Sequence, residues 1–370
     1  MIHAGNTIVR WVGIVALAVL AVSWVTRPAV AQVSCGDTIT GKAQMTASLV
    51  CDSDSPALTI DGGSLDMNGY GISGCFADGI HLVGKGSSVS NGRVEGCTRG
   101  FVAANAGKHK LTNVVAVGNT GTGIRINPSA EKTKLVNVHA IGNGADGVQI
   151  QADGVSVAGS SAVGNGDDGF AIEGEKVKFK DCVADGNGEQ GFDGQLSVRG
   201  SYKGCSSSGN GFSGFAVAVT DKLKNCTATG NGGNGFFGGD KVSGSTAVGN
   251  GQAGFVTLGR SLSKSSAVGN LDAGVSLGGN DVKLKKVTVT GNGGDGIFVG
   301  SGSGHSISGC TIASNAGSGI YNLAGTDLSV TKNVVLDSGG DDLREGIPDC
   351  GDDNTWAKNK FESSNLDCIE

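Results

Sequence analysis

Apolar and polar residues alternate along the chain in short pieces such as Lys222-Leu223-Lys224, Gly254-Phe255-Val256 and Ile297-Phe298-Val299. A period of two is the signature of a strand, and no segment holds helical spacing over the length a helix needs. The pieces recur in a fixed grammar. A glycine followed by a large apolar residue appears twelve times between Gly79-Ile80 and Gly319-Ile320, in steps of 19 to 24 residues. Four residues earlier, nearly every copy from Asn119 to Asn315 carries asparagine, usually as Gly-Asn-Gly. Both residue types tolerate left-handed backbone, so this triplet is expected to form a tight turn.

One copy holds about three short strands and cannot bury its apolar face alone. Copies stacked at the strand spacing of roughly 4.8 Å bury equivalent positions over one another, which predicts a parallel β-helix on the order of 60 Å long. The glycine register names the inward columns. The residue after it gives a Phe/Ile/Val column. Seven before it stand Ala116, Ala140, Ala162, Ala184, Ala228, Ala247 and Ala267. Twelve before it stand Leu111, Leu135, Val157, Phe179, Tyr202, Leu223, Val242, Leu262, Leu284 and Ile307.

Composition narrows the alternatives. The 370 residues include 67 Gly, 4 Pro and 10 Cys with 5% aromatics, which fits neither collagen nor a proline-rich linker. Arg10, the apolar run Trp11 to Trp24 and the small triplet Ala29-Val30-Ala31 read as a cleaved export signal over residues 1–31. The apolar run is shorter than the about 20 residues of a membrane span, so no span is expected after cleavage. Cleavage removes Arg10 and Arg27 and no acids, leaving 26 Lys+Arg against 34 Asp+Glu. No basic excess and no nucleic-acid motif remain, which disfavours nucleic acid as a partner. The expected location is outside the cytoplasm, periplasm or medium, where disulfides persist.

With these Asn-x-x-x-Gly-[Ile/Phe/Val] repeats, residues 57–340 resemble the right-handed parallel β-helix proteins of the pectin-lyase-like fold, in particular secreted bacterial ones. The resemblance implies an all-β, right-handed, single-stranded solenoid of about 12 coils of about 22 residues. The organisation expected is an N-terminal cap over 32–60, repeats over 61–340 and an acidic C-terminal cap over 341–370. The segment Asn354-Thr355-Trp356 to Asn359-Lys360-Phe361 looks like the end segment of the same family, which implies caps closed by disulfides Cys35–Cys51 and Cys350–Cys368. Connectivity cannot be read from sequence alone. Cys75 and Cys97, in adjacent coils, could bridge. Cys182, Cys205, Cys226 and Cys310 all stand nine before the glycine, in a small, half-buried slot where one adjacent pair could be oxidised. A column of thiols is a line rather than a tetrahedron, so no metal site is expected there. No cofactor is expected; calcium stays open as an alternative, without a motif to support it.

Outward positions carry the candidate chemistry. Thirteen and eleven before the glycine lie Lys110, Lys134, Lys178, Lys180, Lys203, Lys222, Lys224, Lys241, Lys283 and Lys285. Stacked like charges repel, and a bound polyanion relieves this, which marks Lys178, Lys180, Lys222 and Lys224 as polyanion-facing candidates. The alternative is a solubilising stripe that discourages aggregation. A second row holds His81, Arg125, Asn127, Gln149, Gln151, Glu173, Asp193 and Gln195, then Phe237, Val256, Phe298 and Tyr321. Hydrogen-bonding groups continued by aromatic faces suit a sugar chain, with Arg125, Gln149, Glu173, Asp193, Phe237, Phe298 and Tyr321 as candidate contacts. An ordinary sheet face or a contact between copies is the alternative.

Candidate catalytic residues are His81, Arg93, Arg125, Asp146 and Asp168. Asp146 and Asp168, one coil apart, look like the paired acids of polygalacturonase-type glycosidases. The Gly-His-Gly and Arg-Ile-Lys motifs of that family do not follow, and Asp295-Gly296 repeats the same grammar elsewhere. The Asp-Pro-His-Asp signature of alginate epimerases is absent. A lyase needs a base beside a carboxylate neutraliser, for which His81, Arg93, Arg99 and Arg125 near Asp78 and Glu95 form the one compact mixed group. Three functions therefore stand after the sequence. They are glycan binding along a sheet face, a lyase or epimerase acting on an acidic polymer, and a structural or adhesin-like protein. Oligomeric state is open.

Overall fold

A computed structural model describes residues 32–348 and 353–369. The expected export signal, Cys350 and the neighbouring cap residues lie outside this range. The described residues form a parallel β-solenoid with three strand faces. The first face has 15 strands, from Thr38–Ile39 to Leu343–Glu345, each hydrogen-bonded to the equivalent strand one coil away. The second runs from Lys42–Gln44 to Thr355–Ala357 and the third from Leu49–Val50 to Val334–Leu336. The stack exceeds the twelve glycine copies because its end coils lack the Gly-apolar pair. In the last one Asp342 takes the glycine's place before Leu343.

All three inward columns are buried as expected. Phe170, Phe192, Phe215, Phe236 and Phe255 stack ring on ring at 4.7–4.9 Å between centroids. Phe179 and Tyr202 stack at 5.2 Å on the second face and meet Phe192 edge-on. Such pairs contribute about 0.5–1.5 kcal/mol each beyond burial.

The Gly-Asn-Gly triplet works differently from a simple turn. Its first glycine takes the left-handed conformation, as at Gly164 (φ +62°), while the asparagine is buried and does not. Each asparagine accepts from its neighbour in the preceding coil: the backbone N–H and Nδ2 of Asn187 both donate to Asn210 Oδ1, at 3.0 and 2.8 Å. Nδ2 of Asn187 also donates to Ala162 O at 3.1 Å. The pattern runs unbroken from Asn119 to Asn315. This ladder satisfies the backbone of a corner that the sheet hydrogen bonds leave. The glycine before the apolar column is required by closeness rather than conformation. A Cβ on Gly169 would lie 2.6 Å from Gly191 O and 2.8 Å from Asn187 Nδ2.

Cysteines close the N-terminal end. Cys35–Cys51 is bonded as expected, and Cys75–Cys97 links adjacent coils. Cys368 is disulfide-bonded; Cys350, the partner expected for it, is among the undescribed residues. The column of Cys182, Cys205, Cys226 and Cys310 corrects two expectations. It is fully rather than half buried, and all four are free thiols, with no adjacent pair oxidised. The position faces inward at the corner between the second and third faces, where Ser160 and Ser245 in the same column return their hydroxyls to backbone carbonyls.

Candidate functional site

Parallel in-register stacking makes every outward column a straight row. On the first face one row reads His81, Val102, Arg125, Gln149, Ala171, Asp193, Ala216, Phe237, Val256, Ser276, Phe298, Tyr321 and Arg344. Of its polar residues, Arg125 is tied to the neighbouring row that holds Asn127, Gln151 and Glu173. Arg125 Nε donates to Asn127 Oδ1 at 3.0 Å and its Nη2 to Gln151 Oε1 at 3.3 Å, and Gln151 Nε2 donates to Glu173 Oε2 at 3.2 Å. At the far end the Phe298 and Tyr321 rings lie 5.7 Å apart, and the Arg344 guanidinium sits 4.7 Å over Tyr321. Phe237 is separated from this pair by Val256 and Ser276. Arg344 was not found from sequence, because a register keyed on glycine stops one coil short of it.

The mixed group expected around His81 is brought together only in part. Asp78 is buried and accepts from His81 Nε2 at 2.5 Å and from Arg99 Nε and Nη2 at 2.7 and 2.8 Å. Burial pushes the Asp78 carboxyl up, but the hydrogen bonds from His81 and Arg99 outweigh it and hold it below its ordinary value. Arg93 lies on the third face, bonded to Glu95 at 2.6 Å, and Arg125 is engaged with Asn127 and Gln151.

Asp146 and Asp168 sit in the turn that enters the first face. Burial pushes them up to about 6 and about 7 respectively, and Asp167, Glu189 and Asp193 nearby add repulsion. Each carboxylate also accepts a backbone N–H from the next coil: Asp168 N donates to Asp146 Oδ1 at 3.3 Å and Gln190 N to Asp168 Oδ1 at 2.8 Å. Asp295 does the same for Ser318 N at 2.7 Å, and its carboxyl is likewise raised by burial. The turn geometry thus accounts for the acid before the glycine in all three coils.

The lysine rows are real rows. Lys180, Lys203 and Lys224 occupy three consecutive strands of the second face, and Lys222 and Lys241 are neighbours in the parallel row beyond Ser201. All are exposed. Among the described residues, the only ion pair in these rows is Lys180 with Asp181, at 3.8 Å. Two unit charges at the strand spacing repel by about 0.9 kcal/mol in water, and salt screens only part of this. The bend between the first and second faces adds cations that the sequence rows omitted. Arg199, Ser201, Val219, Thr220, Lys222, Asp240 and Arg260 line a groove of about 590 Å³ there. Lys241, Arg260, Ser261, Asp281 and Lys283 line a second of about 420 Å³. Among the described residues no helix is long and apolar enough to cross a membrane.

No curated protein matches the chain. Among solved structures it is similar to the A-module of a mannuronan C-5 epimerase from Azotobacter vinelandii, at 15% identity and a TM-score of 0.44 over 90% of this chain and 87% of that one. It is also similar to a pectate lyase, at 18% and 0.39 over 60% and 72%, and to a surface adhesin of Streptococcus pneumoniae, at 12% and 0.35 over 84% of each. The family model described as the right handed beta helix region matches residues 78–250 and 259–370. With the parallel coils and their inward columns, that match establishes that the chain belongs to the right-handed beta helix family.

Proposed function

We propose that this is a secreted β-helix protein that binds an acidic polysaccharide along its second face. The observation that carries the reading is the register of Lys180, Lys203 and Lys224 on consecutive strands, beside Lys178, Lys222 and Lys241. In a chain whose acids outnumber its bases, gathering cations into rows that repel one another favours a ligand that carries repeating negative charge. A glycan array tests it. Acidic glycans, uronates or sulfated chains, are expected to dominate the hits over neutral glucans, and an array without acidic preference overturns it.

A second reading is favoured by the Asp78, His81 and Arg99 cluster, which sets an imidazole and a guanidinium on one buried carboxylate. On that reading the protein is a lyase or epimerase acting on a uronate polymer, with His81 exchanging the proton. Release of unsaturated, ultraviolet-absorbing product or a changed epimer ratio by NMR supports it, and an unchanged panel of polyuronates removes it.

A further inference from the structure

The two grooves at the bend between the first and second faces share Arg260 and so form one track. Its floor is the row Ser201, Lys222, Lys241, Ser261, Lys283, four strand steps or about 19 Å long. Arg199 and Arg260 stand on the bend above it. The two carboxylates in the first groove's vicinity are occupied. Asp240 accepts from Arg260 Nε and Nη2, both at 2.6 Å, and Asp221 is fully buried, accepting from Gly200 N at 2.7 Å and Ser197 Oγ at 3.0 Å. The Asp240 pair fixes the guanidinium plane and leaves its remaining N–H edge free to donate. Val219, 49% exposed, gives the same groove an apolar wall. Toward the N-terminus the track stops where Glu131, Asp153 and Glu175 are exposed beside Lys132 and Lys176, and the separate groove of about 550 Å³ beyond, lined by Lys108, Lys110, Lys132 and Lys134, has neither an arginine nor an exposed apolar wall. Asp281, lining the second groove beside Lys283, marks the other limit.

The geometry points to this track, built on Arg199, Lys222, Lys241 and Arg260, as the principal seat of an acidic polysaccharide laid parallel to the solenoid axis. The inference rests on the binding function proposed above and locates it. Charges on the polymer meet cations at one-coil or two-coil spacing, about 4.8 or 9.6 Å, and the apolar face of a sugar ring rests on Val219. A linear polymer fits this arrangement because the cations form a line with one apolar side, whereas a flat anionic surface would need the whole second face.

The test uses the mature chain and graded oligouronates and sulfated oligosaccharides in titration calorimetry. Affinity is expected to rise with oligomer length until the chain spans about 19 Å and then to level. K222Q/R260Q is expected to weaken binding at least about tenfold, since each lost contact is a charge-assisted one. V219S, which changes no charge, is expected to weaken it about threefold while leaving the salt dependence unchanged. K264Q/K286Q, the same loss of charge on the opposite corner, should bind as the parent does. Thermal unfolding midpoints confirm that the variants are folded. Equal losses from both double variants, or tighter binding to anionic lipid vesicles than to any oligosaccharide, overturn the seat while leaving charge-driven binding in place. Absence of binding by every acidic oligomer removes the proposed function with it. The carboxylate and sulfate arms identify which anion the track prefers.

Discussion

The indole N–H of Trp356 donates to Glu345 Oε2 at 3.0 Å, and both residues are almost completely buried. The same carboxylate accepts from Asn322 Nδ2 at 2.8 Å, Ile347 N at 3.0 Å and Asn354 Nδ2 at 3.1 Å. One acid thus ties the last first-face strand to the closing segment. W356F leaves a buried carboxylate oxygen short of a donor and is expected to cost about 1–3 kcal/mol, and E345A more. Hydrogen exchange should show the loss concentrated near Thr355–Ala357, and a uniform change along the solenoid would contradict it.

The asparagine ladder makes a sharper prediction. N210A removes the acceptor for two donors of Asn187 and three donations by its own Nδ2. The expected cost is at least about 2 kcal/mol, read as a lower urea midpoint. N137G, in the exposed ladder of Asn91, Asn113 and Asn137, keeps the left-handed backbone that Asn137 holds (φ +51°) and should cost clearly less. Equal costs would show that the buried ladder is dispensable.

Two glycines separate conformation from space. G164A adds a methyl with nothing within 4 Å but forces alanine into φ +62°, a cost of about 1–2 kcal/mol. G169A pushes a methyl into Gly191 O and Asn187 Nδ2 and should be much the worse, with reduced soluble yield. The reverse order would refute the packing argument.

Stability should depend on pH through Asp146 and Asp168. Both carboxyls are raised in the folded state, to about 6 and about 7, chiefly by burial. Between the unfolded value near 4 and these values the folded chain holds more protons than the unfolded one, so stability is fully present at low pH and falls as pH rises through 7. Asp146 is half-buried, which screens its share of the effect, whereas Asp168 is buried. D168N should flatten the slope between pH 5 and about 8 in urea unfolding; an unchanged slope would show that the carboxyl is not raised.

The four thiols give a chemical count. Cys182, Cys205, Cys226 and Cys310 should resist alkylation in the native protein and all react after denaturation without reductant. Reaction of only two would reveal a disulfide in the column.

The solenoid was legible because its signals are local and repeated: a period-two strand, a glycine that must let Gly191 O approach, and a column such as Phe170 to Phe255. The site was less so. Lys180, Lys203 and Lys224 could be placed in a row because they sit on strands of fixed register. Arg260 and Asp240 meet on a bend whose length varies between coils, so no spacing announces the pair. Arg93 and His81 are close in sequence but on different faces, since the chain runs along the second face at Ser88–Ser90 between them. Asparagine four before the glycine was read as a turn former because its composition fits one. Its role as a buried acceptor appears only when the coils are stacked.

Titration of polygalacturonate into the mature protein and into K203Q/K222Q/K224Q, at two salt concentrations, addresses the proposed function most directly. Binding by the parent should weaken steeply with salt, and the triple variant should lose at least about tenfold in affinity and show a shallower salt dependence. Binding of equal strength and equal salt dependence in both proteins, or tighter binding of a neutral glucan, would contradict it.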